Sequence, residues 1–298
     1  MTGGRTDGLS ETERGLGMKM RGMRKTEYGT KRILLLSALA VLLLAGLAVF
    51  SRVAAEARWP QSSRQGQRVD GIMWLDLSNV KEGYFMAAST KPSKRRLKLR
   101  VVKGKETLTY DLNTECVLEV FPFQLGDGRY EISLWENVSG KKYSNAGKMS
   151  VNVALTDPNS CFLYPNQYEN YTPESPAVAE AERICSGKSG KDVYKAVKDY
   201  MADQFNYDYI KAATIQPSTL PDIDGTFEKR RGICQDLAAI AVCMLRTQEV
   251  PAKLVIGYAD KTYHAWVEVI LGEEEVFYDP TADVTNGKPK KYTAERFY

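Results

Sequence analysis

The stretch Arg231-Gly232-Ile233-Cys234-Gln235-Asp236-Leu237-Ala238-Ala239 decides how this chain is read. It leads a cysteine into a run with helical spacing. Leu237, Ile240, Ala241, Met244 and Leu245 form one apolar face, and the helix must end before Pro251. Cys234 falls where that helix begins. The free N–H groups and dipole of a helix start favour the thiolate, the form in which cysteine is a nucleophile. Gly232 allows a tight entry and leaves room for a substrate backbone to approach. The Cys234 amide is placed to donate to a developing oxyanion. Cys243 lies nine positions on and is turned to the opposite side at about 100° per residue. It sits among Ala239, Ile240 and Val242 and reads as a small core residue. Asp236, in the first turn, suits the dipole and reads as structural.

Two further segments carry the groups a thiol needs. His264-Ala265-Trp266 supplies an imidazole, and Tyr278-Asp279-Pro280-Thr281 a carboxylate. The chain has a single histidine, so any Cys/His chemistry must use His264. In that role His264 takes the thiol proton and returns it to the leaving group, while Asp279 accepts from the other ring nitrogen. Strands are expected at Lys253–Tyr258, Tyr263–Ile270 and Val276–Asp279. A turn at Gly272 would set the last two side by side and bring His264 next to Asp279. Alone, Cys234 reads as a buried thiol, His264 as a satisfied strand histidine and Asp279 as the start of an Asp-Pro turn. Their combination argues for catalysis.

These segments, with Val250-Pro251-Ala252-Lys253-Leu254-Val255-Ile256-Gly257-Tyr258 between them, resemble the transglutaminase-like superfamily over about residues 175–285. The bacterial membrane-bound or secreted type is the nearest in character. The resemblance implies a papain-like fold and a Cys-His-Asp triad, carried here by Cys234, His264 and Asp279. It implies that Trp266 is the aromatic beside the site, in contact with substrate. No motif marks a second oxyanion donor; Tyr207 and Gln235 are candidates. The implied activity is attack on an amide of a protein or peptide, through a thioester, with hydrolysis or amine transfer as the outcome. The alternative is a non-catalytic cell-surface scaffold using the same fold. No cofactor is implied, and no D-x-[DN]-x-[DN]-G pattern suggests a calcium site.

Upstream of the cysteine the pattern changes character. Ser175-Pro176 starts a helix that runs to Cys185, and Val193, Val197, Tyr200, Met201 and Phe205 mark a second. Tyr207–Gly225, with Pro217 and Pro221, reads as loop. Residues 70–156 read as about seven short strands with turns at Gly104, Gly126, Gly128 and Gly140. That spacing suggests an immunoglobulin-like β-sandwich. Asp127-Gly128-Arg129-Tyr130 resembles the start of a strand carrying a tyrosine corner. The expected fold is therefore α+β, with the sandwich ahead of a thiol domain at 157–298.

Ile33–Phe50 is apolar apart from Ser37 and Gly46, and eighteen helical residues reach roughly 27 Å, about a bilayer core. Lys19, Arg21, Arg24, Lys25, Lys31 and Arg32 precede it, in a polar tail (1–32) that composition makes disordered. This reads as a signal-anchor with everything beyond it extracytoplasmic. The competing reading is a signal peptide cleaved after Ala57 at Ala55-Glu56-Ala57, giving a secreted protein. Residues 51–69 read as a linker. A net charge of +4 with no dense basic patch gives no case for nucleic acid. The five cysteines contain no CxxC, so a zinc site is not expected. A Cys161–Cys185 disulfide near the junction of the two domains is left open, with unpaired thiols the favoured reading.

Overall fold

The computed structural model describes residues 57–298 apart from Pro217 and Lys288. The expected tail, membrane segment and cleavage site at 1–56 lie outside the described residues. Among the described residues no helix is long and apolar enough to cross a membrane.

Eight strands make the first layer pair. β1 (Gln67–Asp70), β2 (Met73–Asp76), β3 (Tyr84–Ser89) and β6 (Glu119–Pro122) form one antiparallel sheet. β5 (Glu106–Leu112), β4 (Leu97–Lys103), β7 (Gly128–Ser139) and β8 (Lys142–Val153) form the other, each set in that spatial order. Alternation dictates the packing. Leu97, Leu99 and Val101 on β4 face inward, as do Tyr130, Ile132 and Leu134 on β7. The two sheets meet through aromatic rings, Tyr110 against Phe121 at 5.0 Å and Phe123 against Tyr130 at 4.9 Å. The Tyr130 hydroxyl donates to the Gly126 carbonyl at 2.8 Å, closing the turn before its strand.

Residues 58–69 were expected as linker, but they pack against the fold. Arg58 makes a two-pronged ion pair with Glu249, at 3.0 Å from Nε and 2.8 Å from Nη2 to Oε2. Trp59 sets its ring edge-on to Tyr171. Their charge and small-residue content hid these anchors.

The rest is α+β, as expected. Helices α1 (Pro176–Cys185) and α2 (Lys191–Gln204) lead to a two-residue strand β9 (Asn206–Tyr207). The stretch read as loop holds two short helices, α3 (Tyr209–Thr214) and α4 (Ile223–Lys229). Their caps are Asp208, which accepts from the Lys211 amide, and Asp222, which accepts from the Gly225 amide. Then come β10 (Arg231–Gly232) and α5 (Cys234–Arg246). The sheet that follows has the order β13 (Glu274–Tyr278), β12 (Thr262–Leu271), β11 (Ala252–Ala259), β14 (Tyr292–Phe297), with α6 (Pro280–Thr285) after β13.

Helix α5 is the centre of this half. One apolar face was expected, yet every residue from Asp236 to Arg246 is buried. It packs on α1, α2 and α4 as well as on β11 and β12, so no side is left to solvent. Buried charges of the sign the helix dipole favours hold both ends, Asp236 in the first turn and Arg246 in the last. All five cysteines are free thiols, so the Cys161–Cys185 bridge that the sequence left open is not formed. Those two are instead buried among core side chains. Burial pushes the Cys161 thiol up to about 12 and the Cys185 thiol up to about 11.

Candidate active site

The cysteine is placed by a two-strand clip. β9 and β10 pair in parallel, with Tyr207 opposite Gly232, and the Asp208 amide donates to the Gly232 carbonyl at 2.9 Å. Ile233 then takes an extended conformation as the residue before the helix, and Cys234 is the first helical residue. The Asp236 carboxylate, wholly buried, accepts from the Ile233 amide at 3.0 Å and from the Asp222 amide at 3.1 Å. Lys211 pairs with it at 2.7 Å. The structural reading of Asp236 thus has definite partners: it fixes the entry of α5 to α3 and α4.

Gly232 has a different purpose from the one the sequence suggested. A Cβ there would lie 2.5 Å from Thr226 Cγ2 and 2.9 Å from Asp236 Cβ. The missing side chain makes room for the protein's own α4 and carboxylate rather than for a substrate backbone. Gly232→Ala is expected to cost about 1–3 kcal/mol through overpacking. It should also lower the alkylation rate of Cys234 by shifting the helix start; thermal melting and iodoacetamide labelling check the two effects.

His264 and Asp279 are brought together as expected. Residue Tyr278 pairs with Val267 across β12 and β13, and Asp279 leaves β13 directly afterwards as the cap of α6. His264 Nε2 and Asp279 Oδ2 lie 2.9 Å apart. With Nε2 held by Asp279, Nδ1 is the ring nitrogen left for the nearby Cys234 thiol, which also acts on the charge of the ring. Asp279 is locked by further donors, the amides of Thr281 at 2.9 Å and Ala282 at 3.1 Å and the Tyr292 hydroxyl at 2.7 Å. Sequence reading missed Tyr292, which stands on an exposed edge strand after a lysine-rich turn and carries no motif.

Burial works against the charge of His264, but the hydrogen bond to Asp279 and the nearby Cys234 thiol outweigh it and raise the ring to about 9. Burial likewise opposes ionisation of Asp279, and the bond from His264 more than offsets it, so its carboxyl lies below the usual range. The imidazolium–carboxylate pair is thus the stable form at neutral pH. The His264 contribution to folding is complete below its usual 6.5 and is lost as pH rises through about 9. The Asp279 contribution is complete above its usual 3.8 and is lost as pH falls through its lowered value.

The remaining candidates separate clearly. Trp266 is 2% exposed, so it offers no surface to a substrate. Two positions from His264 on β12, its ring centroid is 6.5 Å from the imidazole with planes 24° apart, and it packs edge-on to Tyr292 at 5.3 Å. Gln235 spends its side-chain donor on the Thr219 carbonyl at 2.9 Å. Tyr207 is half-buried on the strand paired with Gly232, close to Cys234; burial first, then its neighbour Cys234, pushes its hydroxyl up to about 12. Cys243 is wholly buried, and burial raises its thiol well above the ordinary value.

Among proteins of known sequence, the chain is 30% identical over 124 residues to an uncharacterized protein, YebA, of Bacillus subtilis strain 168. That match covers 35% of this chain and 16% of YebA, so the chain spans about a sixth of that relative. The periplasmic domain of TgpA from Pseudomonas aeruginosa is 17% identical, with a TM-score of 0.34 over 76% of this chain and 78% of that one. Red sea bream transglutaminase is 13% identical, with a TM-score of 0.29 over 66% of this chain and 48% of that one. Residues 179–280 match the model of the transglutaminase-like superfamily, a span that contains Cys234, His264 and Asp279. That segment, about a third of the chain, carries a transglutaminase-like domain.

Proposed function

We propose that the protein is a thiol enzyme that acts on amide bonds of proteins or peptides through an acyl-thioester on Cys234. The observation that carries this reading is the His264 ring, held by Asp279 at 2.9 Å on one nitrogen and leaving the other for the nearby helix-start cysteine. Cys234 Sγ attacks the amide carbonyl carbon while its proton resides on His264. The carbonyl oxygen takes the negative charge, and the Cys234 amide and the Tyr207 hydroxyl are the donors assigned to it in this reading. Collapse breaks the C–N bond, His264 gives its proton to the departing amine, and a thioester forms. Water or a primary amine then attacks that thioester, loses its proton to His264 and releases the thiol.

Asp279→Asn removes the charge that holds His264 at about 9. The alkaline limb of kcat/KM is therefore expected to move to lower pH, and kcat to fall by roughly two to four orders of magnitude. A pH–rate profile of the two proteins checks it.

The extracytoplasmic setting rests on sequence. Ile33–Phe50 is read as a single-pass anchor, and the two-sheet layer pair as an immunoglobulin-like domain ahead of the enzyme. Alkaline carbonate extraction and the mass of the mature chain test the anchor. The activity is tested by incubating the full chain and its Cys234→Ala variant with a glutamine-containing protein and a fluorescent primary amine. Incorporation lost in the variant means amine transfer, and cleavage or ammonia release without incorporation means hydrolysis. Neither outcome across several envelope proteins overturns the enzyme reading.

A further inference from the structure

The two most exposed large apolar side chains among the described residues are Ile210, 76% exposed, and Tyr209, 70% exposed. They are neighbours on α3. A six-residue helix does not persist on its own. This one is built into the entry of the cysteine helix: Asp208 caps it at 2.8 Å to the Lys211 amide, and Lys211 pairs with buried Asp236. The segment that follows is tied to the same helical turn through the Asp222 amide on Asp236 and the Thr219 carbonyl on Gln235. The fold thus holds rigidly two side chains it does not bury.

Their position says what covers them. Tyr207, paired across the clip with Gly232 two residues before Cys234, meets the Tyr209 ring edge-on at 4.9 Å. The apolar ledge therefore starts at the strand pair that places Cys234. Next to Thr219 in the chain, Leu220, itself 42% exposed, lines a separate groove of about 580 Å³ with Trp59, Val117, Val120 and Pro173. The one cation on α3, Lys211, is neutralised by Asp236, so the ledge selects by apolar contact rather than by charge.

We propose that Tyr209 and Ile210 form a substrate-docking ledge for an extended polypeptide, receiving a bulky apolar side chain next to the amide that Cys234 attacks. The inference rests on the acyl-enzyme reading, and it narrows the substrate class to polypeptides with a large apolar residue beside the reacting position. A free small amide gains nothing from the ledge.

The test uses the full chain in detergent, in a Cys234→Ala background, so that docking is read without turnover. Fluorescein-labelled ten-residue peptides with a central Gln flanked by Leu or by Ser serve as probes, followed by anisotropy. The Leu peptide is expected to bind roughly tenfold or more tightly than the Ser peptide. That preference should vanish in Tyr209→Ser/Ile210→Ser, while iodoacetamide labelling of Cys234 in the otherwise native chain stays unchanged. Equal binding of both peptides, no binding of either, or a preference that survives in the ledge variant overturns the proposal. So does a native dimer that the ledge variant turns into a monomer, since the ledge is then covered by a second copy. Peptide preference without turnover by the native chain leaves the ledge standing and removes the acyl-enzyme reading alone.

Discussion

Replacing His264 by alanine is expected to lower kcat/KM by about 10³ to 10⁴ with the fold intact. General acid–base catalysis by a positioned side chain contributes on this scale. The chain has no other histidine to substitute for it. The carboxylate left behind is not stranded: Asp279 keeps the Thr281 and Ala282 amides and the Tyr292 hydroxyl. The loss should therefore lie in kcat, with KM and the near-ultraviolet circular dichroism little changed. Added imidazole should restore part of the rate, and the limb near pH 9 should disappear. A variant within tenfold of the native rate would place the proton transfers elsewhere.

The second large effect is on stability, at the other end of the same helix. Arg246 is wholly buried and donates from Nε to Ala252 O at 2.9 Å, from Nη1 to Tyr164 O at 2.7 Å and from Nη2 to Tyr298 O at 3.0 Å. It also pairs with the buried Glu169 at 3.3 Å. It thus ties the connector before α1, the first strand of the last sheet and the end of β14 to the end of α5. Arg246→Met removes all these bonds and leaves a buried carboxylate unpaired. The expected cost is about 3–5 kcal/mol, a fall in Tm of roughly 6–20 °C for a unit of this size. Burial already raises Glu169, with Arg246 pulling the other way. Without the arginine Glu169 is protonated more readily, so the penalty should shrink as pH falls, and Glu169→Gln should recover part of it. Melting curves at pH 5 and pH 8 decide the point. A penalty independent of pH would mean that the ion pair carries none of the effect.

What could be read from the sequence was what is periodic or chemically scarce. The thirteen residues of α5 show helical spacing, and β4 and β7 alternate cleanly, so both were legible. One histidine in the whole chain left only one partner for Cys234. The missed features lack such signals. Helices α3 and α4 are too short for a period, and only Asp208 and Asp222, three residues ahead of the amides they cap, gave a local hint. That α5 is buried all round, that Gly232 yields to Thr226, and that Arg58 and Trp59 dock on the fold are facts of tertiary packing. So is Tyr292, which reaches Asp279 from a strand paired with β11 rather than with β13.

The most direct test of the central claim is to trap the covalent intermediate. The full chain is incubated with a glutamine-containing peptide that carries a Leu beside the Gln, quenched in acid within milliseconds to seconds, and digested for mass spectrometry. The expected result is the acyl mass, peptide minus ammonia for attack on the side chain, on the fragment carrying Cys234. It should be absent from Cys234→Ala and from every fragment carrying Cys116, Cys161, Cys185 or Cys243. Turnover with no adduct on Cys234, or an adduct that persists in Cys234→Ala, contradicts the account.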